Sequence, residues 1–106
     1  MNANKTFSEK VLEMVRKIPK GRVTTYSEIA RALGNPRACR AVGNALKRNS
    51  SPDTIPCYRV VRRDGSIGEY SRGKREKLRL LKKDGIEIIK RKINMNKHFH
   101  SFENQR

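Results

Sequence analysis

The sequence lacks a long apolar run, and this absence argues against a transmembrane protein. A membrane-spanning helix needs about 20 consecutive apolar residues, and no segment of the 106-residue chain approaches that length. The first residues, Met1 to Lys5, also lack the apolar core of a signal peptide. We therefore expect no membrane association. The expected location is the cytoplasm with its nucleoid or, in a eukaryote, the nucleus.

Cysteine is scarce as well, since the chain has only Cys39 and Cys57. In a reducing compartment, two cysteines are expected to be free thiols rather than a disulfide. His98 and His100 do not combine with them at any usual zinc-ligand spacing. No metal site is expected.

Acidic residues are few relative to basic ones. Lysine and arginine total 26 against 10 aspartates and glutamates, which gives a net charge of +16. So large an imbalance favours a polyanionic partner, with nucleic acid ahead of an anionic membrane surface. The alternative is a charged surface that serves solubility alone.

Capping signals and the spacing of apolar residues predict several short helices in one domain. A capping box at Thr6 opens a first helix, which ends before Pro19. A second capping box at Thr25 opens a short helix, which Gly34 closes in the left-handed conformation. A third helix is expected from Pro36 to Lys47, with the proline at its first position.

The second and third helices, joined by a tight turn, are typical of a helix-turn-helix. The outer face of the third helix is basic and carries Arg37, Arg40, Lys47 and Arg48. Small residues such as Gly43 would let this helix approach a narrow surface such as a DNA minor groove. The alternative is that the small residues serve helix packing and the charges are merely solvated.

Cys57 is a candidate nucleophile because of its neighbours. It follows Pro56 and precedes the run Tyr58 to Val61, whose β-branched and aromatic residues predict a short buried strand. Arg59 lies close enough in sequence to favour the thiolate. The alternative is a small buried hydrophobe, which is the usual role of a free cysteine.

The remainder of the chain predicts a turn, a helix and a tail. Residues 63–66 have the chemistry of a hairpin turn. A last helix is expected from Lys74 to Lys83, with Gly85 as its cap. Residues 90–106 are polar and basic without periodicity. We therefore expect residues 1–89 to form the domain and the rest to be a disordered tail.

Four ordered motifs resemble the C-terminal, DNA-binding domain of the O6-alkylguanine-DNA alkyltransferases. The resemblance extends from about Phe7 to Gly85. It implies a mainly α fold, namely a winged-helix-like helix-turn-helix domain with short β-strands. The matching segments are Gly21-Arg22-Val23-Thr24-Thr25-Tyr26 through Ile29-Ala30, Gly34-Asn35-Pro36-Arg37-Ala38-Cys39-Arg40-Ala41-Val42-Gly43, Ile55-Pro56-Cys57-Tyr58-Arg59-Val60-Val61, and Gly68-Glu69-Tyr70-Ser71.

The resemblance implies a repair reaction that each molecule performs once. A monomer would bind duplex DNA containing alkylated guanine at the minor groove and rotate the damaged base out of the stack, because the alkylated oxygen is inaccessible in the duplex. The Cys57 thiolate would then take the alkyl group from the guanine O6 irreversibly. No cofactor or metal is implied for this methylated-DNA–protein-cysteine methyltransferase reaction.

The resemblance also implies roles for individual residues. Tyr26 would crowd the phosphate and donate a proton to guanine, Arg40 would fill the vacated stack, and Asn49 would brace the loop before Cys57. The base pocket would include Val60 and Cys57 through their backbone oxygens, Ser71 through its N–H, Tyr70 as a wall, and Lys77 nearby. Other DNA contacts would come from Arg37, Gly43, Lys47, Arg48 and Arg59.

Three of these residues have structural alternatives. Tyr26 is also suited to pack against the start of a helix, Arg40 to make an ordinary phosphate contact, and Tyr70 to fill the core.

The chain departs from the family pattern beside the cysteine. Tyr58 occupies the position of the usual histidine, and Asp84 occupies the position of the usual glutamate. A phenol with a pKa near ~10 is a poor base, whereas an imidazole near ~6.5 can accept a thiol proton. We predict that Tyr58 and Asp84 keep a hydrogen bond between the same two positions.

Two other functions remain open. The chain has no room for the N-terminal domain that commonly precedes this region, so it also resembles the small alkyltransferase-like proteins, which bind the lesion without repairing it. Those proteins lack the acceptor cysteine, whereas Cys57 is present here. A winged-helix transcription regulator would explain the charge but would leave Cys57 and Tyr70 without a role.

Overall fold

The computed structural model describes residues 5–102, which form a mainly helical domain with very short strands. The helices are α1 (Phe7–Arg16), α2 (Tyr26–Ala32), α3 (Cys39–Lys47), α4 (Lys74–Lys83) and α5 (Met95–His98). The strands are β1 (Thr24–Thr25), β2 (Val60–Val61), β3 (Ile88–Ile89) and β4 (Lys92–Ile93). This agrees with the mainly α fold expected from the sequence.

The two predicted capping boxes behave differently. At α1 the box is complete, since Glu9 N donates to Thr6 Oγ1 at 3.1 Å and Thr6 N donates to Glu9 Oε1 at 2.9 Å. At α2, Glu28 N donates to Thr25 Oγ1 at 3.0 Å. The Glu28 carboxylate turns instead to the backbone N–H of Phe102, 2.7 Å away. Only one of the two hydrogen bonds of the second capping box is therefore formed, because the Glu28 carboxylate accepts from a segment that is distant in sequence.

The helix-turn-helix consists of α2, a turn and α3, and α3 begins later than predicted. Gly34 has the expected left-handed conformation, with φ +82°. Ala38 N donates to Asn35 O at 3.0 Å, which closes a turn over Pro36 and Arg37. The prediction of a helix from Pro36 was therefore wrong by three residues, and α3 starts at Cys39.

The core lies between α1, α2 and α3. Its members are almost fully buried and include Val11, Val15, Ile18, Ile29 and Val42. Beside it, β1 pairs with β2 in parallel, with Thr24 opposite Val60 and Thr25 opposite Val61. Because α2 begins directly after β1, this pairing links the helix-turn-helix to the segment that carries Cys57.

Cys57 itself lies in a turn rather than at the head of a strand. Pro56 has φ −78° and ψ 66°, an inverse γ-turn in which Cys57 N donates to Ile55 O at 2.8 Å. A single 3₁₀ turn, Cys57–Arg59, follows, and the strand begins only at Val60. The predicted strand over residues 58–61 was too long because the proline-initiated turn uses its first two residues.

The expected hairpin at residues 63–66 is a turn without a second strand. Arg62 N donates to Ser66 O at 2.9 Å and Gly65 N donates to Arg62 O at 3.0 Å. The residues that follow, 67–70, have no regular secondary structure, and β2 pairs with β1 instead. The predicted turn is therefore present, but the strand that pairs with β2 is β1, which lies much earlier in the sequence.

The segment expected to be a disordered tail packs onto the domain over residues 90–102. β3 and β4 form an antiparallel pair, and Val23 bridges in parallel to Phe99. Phe102 is buried in the main core at 9% exposure. Elements of two to four residues are too short to give a periodic pattern, which is why the sequence did not reveal them. Residues 103–106 lie outside the described residues.

Helix α4 spans Lys74–Lys83, as predicted, and Gly85 follows it with φ +86°. Across residues 5–102, every helix is too short or too polar to cross a membrane.

Removing the Phe102 ring tests whether the C-terminal segment is part of the folded domain. Phe102→Ala should lower the free energy of unfolding by about 3 kcal/mol, because it leaves a cavity in the core. Ile89→Ala is the matched control, since Ile89 is 60% exposed and its loss should cost less than about 0.5 kcal/mol. Urea denaturation measures both, and equal midpoints for Phe102→Ala and the parent protein would contradict the packing.

Candidate functional site

A cleft of about 750 Å³ lies between α3 and the chain around residues 62–71. Cys57 and Tyr26 line it between these two sides. The α3 side contributes Cys39, Arg40, Gly43, Asn44, Leu46 and Lys47, and the opposite side contributes Arg62, Glu69, Tyr70 and Ser71. The predicted nucleophile and the predicted basic helix thus share one cavity.

The thiol is held in place from behind. Asn49, just after α3, donates from Nδ2 to Ile55 O at 3.1 Å and accepts from Ser51 N at 2.9 Å. Ile55 O also anchors the γ-turn that positions Cys57. Cys57 is 6% exposed, and that exposure opens into the cleft. The contacts expected of Asn49 as a brace for this loop are therefore present.

Two tyrosine hydroxyls near Cys57 stay protonated at neutral pH. Burial raises the pKa of Tyr26, and the nearby Cys57 raises it further, against the effect of Arg62. Burial also raises the pKa of Tyr70, again with a contribution from Cys57. Gly68 makes room for Tyr26, because a Cβ there would lie 3.2 Å from the Tyr26 hydroxyl oxygen. Both phenols can act as hydrogen-bond donors inside the cleft.

The predicted hydrogen bond between Tyr58 and Asp84 is present, but outside the cleft lining. Tyr58 OH donates to Asp84 Oδ2 at 2.9 Å, and Arg59 Nε donates to the same oxygen at 2.8 Å. Arg59 also donates to Ile18 O at 2.9 Å, and its guanidinium carbon lies 5.3 Å from the centroid of the Tyr58 ring. Burial raises the pKa of Tyr58. We call these three residues the Tyr58–Asp84–Arg59 network.

This network changes the expectation for Arg59. Its side chain is 15% exposed and its guanidinium pairs with Asp84 inside the domain. Its guanidinium is therefore positioned to stabilise the fold rather than to contact DNA.

Lys77 lies behind the cleft rather than in its lining. Its side chain is fully buried, and Nζ donates to Val60 O at 2.7 Å and to Glu69 O at 3.0 Å. Burial lowers the pKa of this ammonium to about 7. The Val60 oxygen that was expected to accept from a guanine amine already accepts from Lys77.

The other predicted DNA contacts on and beside α3 either line the cleft or are exposed at the ends of the helix. Arg40, Gly43 and Lys47 line the cleft, whereas Arg37 precedes α3 and Arg48 follows it, both exposed. Sequence reasoning missed Arg62 and Glu69 as cleft residues. The signal for Glu69 was its position inside the Gly68–Ser71 motif, whereas nothing in the local pattern marked Arg62.

The comparison with protein families agrees with this geometry. The model of the 6-O-methylguanine DNA methyltransferase DNA-binding domain matches residues 6–86. The chain belongs to this family. A curated relative, the bifunctional methyltransferase/endonuclease of Picrophilus torridus, is 46% identical over 91 residues, which are 85% of this chain and 30% of that protein. The chain thus spans about a third of the length of this relative.

Solved structures show the same fold. Atl1 from S. pombe, crystallised with damaged DNA containing O6-carboxymethylguanine, has a TM-score of 0.81 and 33% identity, covering 91% of this chain and 95% of that chain. The O6-methylguanine-DNA methyltransferase of Pyrococcus kodakaraensis has a TM-score of 0.70 and 44% identity, covering 78% of this chain and 48% of that chain. These likenesses confirm the predicted family and the helix-turn-helix fold.

Proposed function

We propose that this chain repairs alkylated guanine in duplex DNA by transferring the alkyl group from the guanine O6 to Cys57. The observation that carries the proposal is the position of Cys57 in a cleft whose other wall is the basic helix α3. A buried structural cysteine would not need an opening toward a cationic surface. The family match and the methyltransferase relatives support the same reaction.

The basic surface around α3 would hold the DNA. Arg37, Arg40, Lys47 and Arg48 are exposed on and beside this helix and are able to neutralise phosphates. Gly43, without a side chain, lets the helix approach the minor groove closely. Arg40 is exposed and borders the cleft, so it is placed to occupy the gap that a rotated guanine leaves in the stack.

The rotated base enters the cleft between Tyr26 and Tyr70. Extrusion is needed because the reacting atoms are otherwise enclosed in the duplex. The Cys57 thiolate attacks the alkyl carbon, the sulfur–carbon bond forms and the bond from carbon to O6 breaks. The electron pair stays on the guanine, which takes a proton from the Tyr26 hydroxyl or from water. Because the thioether is stable, each molecule reacts once.

The second candidate function is lesion binding without transfer. It is favoured by the likeness to Atl1, whose structure contains damaged DNA and matches this chain over 95% of its own residues. The same cleft and the same basic helix would serve it. The two functions differ only in the fate of Cys57.

Mass spectrometry separates the two functions. After the protein is mixed with a duplex containing O6-methylguanine, one methyl group should appear on Cys57, with no modification in a Cys57→Ser variant. Cys39→Ser is the matched control, because Cys39 also lines the cleft, and this variant should still be methylated. Tight binding with unmodified protein would contradict transfer and support the lesion-binding function.

The DNA contact predicts a steep dependence of affinity on salt. Arg40→Ala and Lys47→Ala should each weaken binding and reduce the slope of log K against log salt by about 1. Lys10→Ala is the control, because Lys10 is exposed on α1, whose buried face packs against α3. Fluorescence anisotropy at several salt concentrations measures the slopes. An equal loss in all three variants would mean that α3 is not the DNA-binding element.

A further inference from the structure

The end of the β3–β4 hairpin holds a backbone conformation that its residues disfavour. Lys90 and Arg91, which we call the hairpin tip, form the two-residue turn that joins β3 to β4. Their φ angles are +53° and +68°, and they are the two non-glycine residues with positive φ in residues 5–102. Such a turn normally holds asparagine and glycine, because a larger side chain in the left-handed conformation is strained. A basic pair at these positions costs the fold stability, and costs of this kind occur where they serve a function.

The two cations of the hairpin tip are available to a partner outside the fold. Lys90 and Arg91 are exposed, and within residues 5–102 neither forms an ion pair. Lys92, which follows them, is exposed as well. The hairpin also lies beyond residues 6–86, the part of the chain that matches the DNA-binding domain of the family. Neither the fold nor the cleft therefore explains the charge of the hairpin tip.

The hairpin packs against the turn at residues 62–66, which continues one wall of the cleft. Ile93 N donates to Gly65 O at 2.9 Å. A Cβ at Gly65 would lie 3.0 Å from Ile93 O, so glycine is needed for this close approach. Arg62, the first residue of the turn, lines the cleft opposite α3. The hairpin is therefore fixed to the wall of the cleft that faces α3.

Exposed cations connect the cleft to the hairpin tip along this wall. Arg62 borders the cleft, Arg63 follows it in the turn, and both are exposed. Lys92 Nζ lies 3.4 Å from Asp64 Oδ2 in the same turn. Arg63 also lines a second cavity together with Pro36, which lies between α2 and α3. The row of cations therefore begins at the cleft, borders the helix-turn-helix and ends at the hairpin tip.

We propose that the hairpin tip is a second DNA-binding element, whose cations contact phosphates of the duplex that α3 holds. Duplex DNA fits this row of cations because it carries one negative charge about every 1.7 Å along its axis. The contact is independent of sequence, since phosphates carry no base identity. The hairpin thus lengthens the DNA contact beyond the cleft. This role rests on the proposed DNA binding by α3 and not on alkyl transfer.

The test replaces the hairpin tip with residues that favour its conformation. Lys90→Asn together with Arg91→Gly should raise the melting temperature by about 5 °C, because the strain in the turn is relieved. The same variant should bind a fluorescein-labelled duplex about tenfold more weakly and reduce the slope of log K against log salt by about 2, since two phosphate contacts are lost. Fluorescence anisotropy at several salt concentrations measures the affinity and the slope. The loss should be equal for an undamaged duplex and for one containing O6-methylguanine, because the lesion is not contacted.

Lys10→Gln together with Arg16→Gln is the matched control, because it removes two exposed cations of α1 and lowers the net charge equally. This variant should keep the salt slope and lose less than about twofold in affinity, since charges outside the DNA contact are screened. An equal loss in both double variants would mean that only net charge matters and would overturn the proposal. Unchanged affinity in the folded hairpin variant would overturn it as well. Unmodified Cys57 in the mass-spectrometry test would instead refute alkyl transfer alone.

Discussion

The parallel pairing of Thr24–Thr25 with Val60–Val61 is the constraint on which the arrangement of the site depends. One strand runs directly into α2, and the other follows the 3₁₀ turn that begins at Cys57. Two pairs of residues therefore fix the cysteine relative to the helix-turn-helix. The cleft that α3 borders is also lined by Cys57, and Asn49 bonds to the chain just before the cysteine turn.

The electrostatics of the site separate into an outer and an inner part. On the outside, exposed arginines and lysines around α3 give a surface suited to phosphates, in a chain with a net charge of +16. Inside, Asp84 pairs with Arg59 in the Tyr58–Asp84–Arg59 network, whereas Lys77 Nζ donates to the backbone oxygens of Val60 and Glu69. The first set lies at the surface, and the second lies inside the domain.

Much of the fold was readable from local signals, and the exceptions share one cause. The cap at Thr6, the left-handed Gly34 and the span of α4 were predictable from capping rules and helical spacing. Both rules depend only on residues that are close in sequence. The burial of Phe102, the diversion of the Glu28 carboxylate and the internal pairing of Arg59 depend on residues far away in sequence. The cleft was predictable through its motifs, whereas the burial of Lys77 required the packed structure.

The central claim is that Cys57 meets a guanine rotated out of duplex DNA. A crystal structure of the Cys57→Ser variant with a duplex containing O6-methylguanine tests it most directly. The account predicts the damaged base in the cleft between Tyr26 and Tyr70, with its methyl carbon about 3.5 Å from the serine oxygen and Arg40 in the vacated stack. A lesion that remains stacked in the duplex, or a base bound away from residue 57, would contradict it.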